Sequence, residues 1–314
     1  MSGSIDRICV IGAGSMGHGI ATEFATAGIE VSLVDQDDQV LHGARRRIDS
    51  ALVLLEESDR IGIDQFEDVL GRISFSTDVA EGAQCADLII EVVAEDLDLK
   101  QKVLVKAAEV AKSHAILASN TSSFQPGVIA EAIPRPERFA VTHYLNPPYL
   151  VPLVELVPGA MTSRDVIAEL ESFYRSIGKK PVCVKEEIAG SIANRLQIAL
   201  LREALSLIED GVADPEAIDT VVTNTIGRRL AIAGPFEIWE QIGWDLVQTI
   251  AAELLKEISS DTDLSSGLKE KVVRGELGFK SGSGYYDWTD DSIAEFDKRI
   301  AHALIELARK DVSP

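Results

Sequence analysis

Basic residues are scarce in this sequence: 30 lysines and arginines stand against 51 aspartates and glutamates, a formal net charge of −21 over 314 residues. A chain this negative repels phosphate backbones and anionic lipid, which excludes a nucleic-acid groove or an anionic membrane surface as its main partner. Cysteine is rarer still. Cys9, Cys85 and Cys183 are the only three, each reads as part of an apolar run, and no C-x-x-C spacing joins them. They are expected to be buried thiols in a reducing compartment, and no metal site is expected. No apolar run approaches the ~20 residues of a membrane-spanning helix, and no secretory leader precedes the first apolar run. The expectation is a soluble, cytoplasmic protein. With 46% hydrophobic residues over this length, two domains with sizeable cores are affordable.

What is present is concentrated between Arg7 and Asp35. Ile8-Cys9-Val10-Ile11 is short, apolar and β-branched, as a buried strand is. Gly12-Ala13-Gly14-Ser15-Met16-Gly17 follows at once. Ile20, Ala21, Phe24 and Ala25 then recur at helical spacing, Gly28 stops the helix, and the run Val31 to Val34 ends at Asp35. This is a β-α-β unit with a glycine-rich turn and an acid about twenty residues on. Gly12 permits the tight turn, Gly14 lets a pyrophosphate approach the backbone, and Gly17 lets helix and strand pack closely. The N–H groups of Gly14, Ser15, Met16 and Gly17 open the helix toward an anion. Asp35 can accept hydrogen bonds from a ribose diol. Gln36, Asp37 and Asp38 follow without an adjacent cation, so a 2′-phosphate would meet anions and NAD is favoured over NADP. The same turn suits FAD in principle; the rest of the chain argues for NAD.

Strand and helix patterns then alternate as far as Val184. Strands are expected near 73–75, 86–93, 115–118, 139–143, 151–157 and 181–184. A helix is expected over 39–60, with Leu41, Ile48, Leu52 and Leu55 inward and Arg45, Arg46 and Arg47 on a solvated face. From about residue 188 the patterns are helical only: 192–209, 214–223, a start at Gly234-Pro235, 245–258, and from Ser283 onward. The fold class is α/β, a mostly parallel sheet over 1–187 followed by an all-helical domain over 188–314. The apolar helical faces exceed what one small bundle needs, which suggests a homodimer.

Ligands in such sheets bind beyond the carboxyl ends of the strands. Three polar groups gather there: Ser119 to Ser123, His143 to Asn146, and Glu91 with Glu95. His143 ends a strand, Asn146-Pro147-Pro148 forces a loop, and the next strand delivers Glu155. Adjacent strands can set Glu155 beside His143, where a carboxylate orients the ring. An imidazole so held can accept a hydroxyl proton while hydride leaves the carbon for a nicotinamide.

These residues resemble the 3-hydroxyacyl-CoA dehydrogenase family. The similarity runs through Val10 to Gly17, Ser119 to Ser123, His143-Tyr144-Leu145-Asn146-Pro147, Leu153-Val154-Glu155, Ala193-Asn194-Arg195-Leu196, Gly234-Pro235-Phe236-Glu237 and Gly278 to Tyr286, in family order. The resemblance implies a Rossmann-type domain and a helical domain that dimerises. It implies His143 as general base, Glu155 as its partner, and Ser122 and Asn194 at the substrate's reacting oxygen. Asn146 would join the substrate site. Asp35, Glu95, Lys100, Asn120 and Lys280 would surround NAD. The implied reaction is oxidation of an L-3-hydroxyacyl-CoA, such as 3-hydroxybutyryl-CoA, in fatty acid metabolism. One stretch departs from that pattern. Where the family meets CoA, Ala51-Leu52-Val53-Leu54-Leu55-Glu56-Glu57-Ser58 offers no lysine and two glutamates. The double proline after His143 is similar to the λ-crystallin and L-gulonate 3-dehydrogenase branch. A dehydrogenase of a free hydroxy acid and a non-catalytic, NAD-binding crystallin-like protein are therefore the alternatives.

Overall fold

The computed structural model describes residues 5–312. Its described residues divide into two units, one within Met1–Ile192 and Lys298–Pro314, the other Ala193–Asp297.

The first unit alternates strand and helix: β1 Arg7–Ile11, α1 Gly17–Thr26, β2 Glu30–Val34, α2 Asp38–Glu57, α3 Phe66–Gly71, β3 Ile73–Ser76, α4 Val79–Ala83 and β4 Leu88–Glu91. It continues through α5 Leu97–Val110, β5 Ile116–Ser119, α6 Pro126–Ala130, β6 Phe139–Tyr144, β7 Leu153–Pro158, α7 Arg164–Ser176 and β8 Lys180–Cys183. The eight strands form one sheet in the order β3-β2-β1-β4-β5-β6-β7-β8. Every pairing is parallel except β6 with β7.

Strand periodicity sends alternate residues to opposite faces. Ile8, Val10, Leu88, Ile90 and Ile116 enter one core with α1, α2 and α7; Cys9, Ile11, Ile89 and Leu117 enter the other with α5 and α6. Leu41, Ile48, Leu52 and Leu55 are buried, as their helical spacing requires. The same alternation puts Val141 and Val157 in the second core, and so turns His143 and Glu155 to that face. Thr142 and Tyr144 turn to the other.

The sheet order reverses between β1 and β4, which gives the crevice at the carboxyl ends where such folds bind ligands.

The second unit takes in α8 Ile192–Glu209, α9 Pro215–Asn224, α10 Ile226–Leu230, α11 Pro235–Ile242, α12 Trp244–Leu254, α13 Ser266–Val273 and the start of α14 Asp290–Val312. Asp214 caps α9 through the Ala217 N–H at 2.8 Å, with Pro215 at the first turn. Among its described residues only Leu205 is buried.

Several expectations change. The stretch from Ser283 is not helical: Gly278↔Ser283 and Ser283↔Asp287 form bridges, and α14 starts at Asp290. Gly278 and Gly282, both at positive φ, make that turn. By contacts the units divide at 192/193, with Val184 and Ile188 packed into a core of the first unit. The chain returns to that unit at Lys298, where Ile305 is a core residue. Cys9 is buried, but Cys85 and Cys183 are exposed; they lie at a helix end and on the edge strand β8, where one flank has no neighbour.

Candidate active site

The glycine turn is built by close approach. Gly12 has φ +110°, and a Cβ there would lie 2.6 Å from the Val92 carbonyl oxygen. A Cβ on Gly17 would lie 1.8 Å from the Gly12 oxygen. At Gly14 a Cβ would project into open space, so the bare backbone faces outward and a diphosphate can reach it. Ser15 is exposed beside it and Met16 is half-buried. Asp35 reaches back with both oxygens: Oδ2 accepts from the Ala13 N–H at 2.9 Å and Oδ1 from the Asp37 N–H at 3.1 Å. The turn and the acid at the end of β2 thus form one piece, and the residues present fit a dinucleotide.

Beyond β4 and β5 lies a second polar cluster. Glu91 is fully buried and takes the Ser119 hydroxyl at 2.6 Å and the Val93 N–H at 2.7 Å. Burial pushes its carboxyl above the ordinary range, against the pull of Lys100. Lys100 is 1% exposed. Its Nζ contacts Glu91 at 3.0 Å, Glu95 at 3.1 Å and the Val93 carbonyl at 3.3 Å. Its three donors thus meet three protein acceptors, Glu91 in the interior and Glu95 at the surface among them.

Glu95 is exposed and holds the turn after β5, accepting from the hydroxyls of Thr121 and Ser123 and from the Ser123 N–H at 3.1 Å. Partial burial would raise its carboxyl, but those hydrogen bonds and Lys100 outweigh it and bring it down to about 2. Asn120 ties this turn to β6, its Oδ1 accepting from the Tyr144 N–H at 2.8 Å.

The antiparallel register of β6 and β7 sets His143 directly opposite Glu155. Nδ1 of His143 lies 2.8 Å from Glu155 Oε2, and both side chains are nearly inaccessible. An anionic Glu155 fixes the proton on Nδ1, which leaves Nε2 as the acceptor. Ser122 Oγ stands 3.2 Å from Nε2. A crevice with room for about one water lies here, lined by Thr121, Ser122, Phe124, His143, Ile188 and Ser191 among others. Among its described lining residues His143 is the only ionisable one. Asn146 is exposed, and its peptide to Pro147 is cis.

The loop between β6 and β7 is clamped from the opposite face. Lys179, 5% exposed, donates to the carbonyls of Pro148 and Val151, the latter at 3.2 Å, and pairs with Glu23 of α1 at 3.1 Å. Arg60 joins the Tyr149 carbonyl to the same Glu23 carboxylate. Nothing in the sequence spacing signals this clamp, because its parts come from α1, the segment after α2, and the turn just before β8.

Thus the first unit brings Gly12, Gly14, Ser15, Met16, Gly17 and Asp35 together at one place. It brings Glu95, Lys100 and Asn120 to the β5 turn, and Ser122, His143 and Glu155 to another cluster. Asn194 and Lys280 belong to the second unit, the former near the start of α8 and the latter exposed in the bridged turn.

Residues 7–187 match the family model of the 3-hydroxyacyl-CoA dehydrogenase NAD binding domain, and residues 190–288 that of the 3-hydroxyacyl-CoA dehydrogenase C-terminal domain. The chain is 32% identical over 305 residues to 5-formyl-3-hydroxy-2-methylpyridine 4-carboxylate 5-dehydrogenase of Mesorhizobium japonicum, covering 97% of this chain and 98% of that protein. It is 35% identical over 292 residues to the mitochondrial hydroxyacyl-coenzyme A dehydrogenase of Sus scrofa, covering 90% and 91%. A solved structure of the pyridine-carboxylate 5-dehydrogenase, described as an NAD+-dependent dismutase, superposes with a TM-score of 0.92 at 31% identity, covering 98% and 99%.

Proposed function

The chain belongs to the 3-hydroxyacyl-CoA dehydrogenase family, and we propose that this NAD-dependent dehydrogenase oxidises the 3-hydroxyl of a free, carrier-less hydroxy acid. The observation that carries the reading is the outer surface of α2. Val53, Glu56 and Glu57 are exposed there, residues 51–58 hold no lysine, and Arg60 just beyond is drawn inward by Glu23. Two glutamates would repel the phosphates of CoA. The full-length likeness to a dehydrogenase of a pyridine carboxylate supports the same reading.

NAD, when bound, supplies the hydride acceptor. The residues of this chain do the rest. Ser122 Oγ donates a hydrogen bond to the substrate oxygen. His143 Nε2 takes the hydroxyl proton as the carbon loses hydride. Glu155 keeps the ring in the accepting tautomer and stabilises the imidazolium that forms. Gly12 to Gly17 and Asp35 hold the diphosphate and adenosine ribose, and Glu95 and Asn120 face the cofactor's other half. Asn146, Asn194 and Lys280 join the site on the family resemblance alone.

A second reading, oxidation of an L-3-hydroxyacyl-CoA, is favoured by the similarity to hydroxyacyl-coenzyme A dehydrogenases. Steady-state NAD reduction with 3-hydroxybutyryl-CoA, free 3-hydroxybutyrate and L-gulonate side by side separates the two. Turnover of a free acid is expected, and turnover of the thioester alone would overturn the proposal. No turnover of any would favour the crystallin-like, non-catalytic reading, against which an assembled Ser122–His143–Glu155 cluster stands.

The assembly is proposed to be a homodimer through the helical unit. Phe236, Trp239, Trp244 and Leu246 are exposed there while only Leu205 is buried among the described residues, so a second copy would complete a core the single unit lacks. Three free thiols fit a cytoplasmic location. Among the described residues no helix is long and apolar enough to cross a membrane.

A further inference from the structure

Arg47 does not lie on the solvated face that helical spacing gives it. Its guanidinium folds back over α2 to the glycine turn, where one terminal nitrogen donates to the Ala13 carbonyl at 2.8 Å. The path is open because residue 43, one turn earlier, is glycine: a Cβ there would lie 3.1 Å from Arg47 Nη1. Among the described residues no carboxylate pairs with Arg47 within ion-pair distance.

His18, buried in the first turn of α1, holds the next carbonyl. Its Nδ1 lies 2.8 Å from the Gly14 oxygen and 3.3 Å from Arg47 Nε. Nδ1 cannot donate to one and accept from the other at once. The shorter contact decides: Nδ1–H donates to Gly14, and Arg47 Nε only packs against the ring. Burial lowers the ring's pKa, assisted by the Arg47 charge and against the Gly14 bond.

Two consecutive carbonyls of the turn are therefore held by two side chains. Both peptides are trans. In a planar trans peptide the carbonyl of one residue and the N–H of the next point to opposite sides. Fixing the Ala13 oxygen toward Arg47 therefore turns the Gly14 N–H away from it, and fixing the Gly14 oxygen toward His18 does the same for the Ser15 N–H. Among the described residues no acceptor takes either N–H. Asp35 holds the same segment from the other end through the Ala13 N–H. Left alone, a peptide next to glycine rotates with little steric resistance.

We propose that Arg47 and His18 are positioning residues of the cofactor site. They lock the Ala13–Gly14 and Gly14–Ser15 peptides with their N–H groups toward the diphosphate of NAD. Arg47 also contributes positive charge at the turn of a strongly negative protein, which draws an anionic ligand.

Calorimetric titration of Arg47→Met and wild-type enzyme with NAD, ADP-ribose and adenosine tests this without turnover. Met keeps the apolar stem and loses the donors. Binding of NAD and ADP-ribose should each weaken roughly tenfold, the scale of one charge-assisted hydrogen bond, while adenosine, which has no phosphate, binds as before. His18→Ala should show the same split, to a smaller degree, and keeps the test open should Arg47→Met fail to fold. Where turnover is measurable, KM for NAD should rise with kcat at saturating NAD unchanged. Undiminished NAD binding in both variants, or adenosine weakened as much as NAD, would overturn the proposal.

Discussion

Glu155 stands opposite His143 across the one antiparallel pairing in the sheet, its Oε2 2.8 Å from the ring's Nδ1. A carboxylate buried this deeply is costly unless it is paired, and here the imidazole is its partner.

Glu155→Gln should therefore uncouple shape from charge. The amide can still reach Nδ1, but it neither forces the proton onto that nitrogen nor stabilises the imidazolium. Turnover should fall by about 10²-fold or more, with NAD affinity unchanged by titration. A variant as active as the parent would remove Glu155 from the mechanism.

Glu95 gives a pH signature. Its carboxyl is brought from the ordinary 4.5 down to about 2 in the folded protein. A depressed pKa means the stabilisation is complete above the unfolded value and fades as pH falls through the folded one. The stability difference between wild type and Glu95→Gln should be constant above about pH 4.5 and shrink as pH falls toward about 2. Urea midpoints of both proteins across that range measure it. A difference independent of pH would mean the turn after β5 is not held by this charge.

Local rules carried the first β-α-β unit, the buried side of α2 and the Asp214-Pro215 helix start, because each rests on spacing and capping within one segment. They could not reach features assembled from distant segments. Lys100 enters the sequence reading through the family resemblance alone, and only the fold brings Glu91 and Glu95 to its ammonium group. Arg47 reads as solvated by helical angle alone. The signal that was present is Gly43 one turn before it, which clears the way to a carbonyl that needs a donor. The helix expected from Ser283 begins only at Asp290, because Gly278 and Gly282 at positive φ turn the chain into bridges first. His143 and Glu155 were legible because one proline-broken loop joins their strands, and register follows from such a connection.

The account turns on His143 as the base. The most direct measurement compares His143→Gln with the parent protein, using whichever of the three substrates the parent oxidises, together with NAD titration in the absence of substrate. Turnover should fall on the order of 10²–10⁴-fold while NAD binds as tightly as before. Turnover equal to the parent's would contradict the claim.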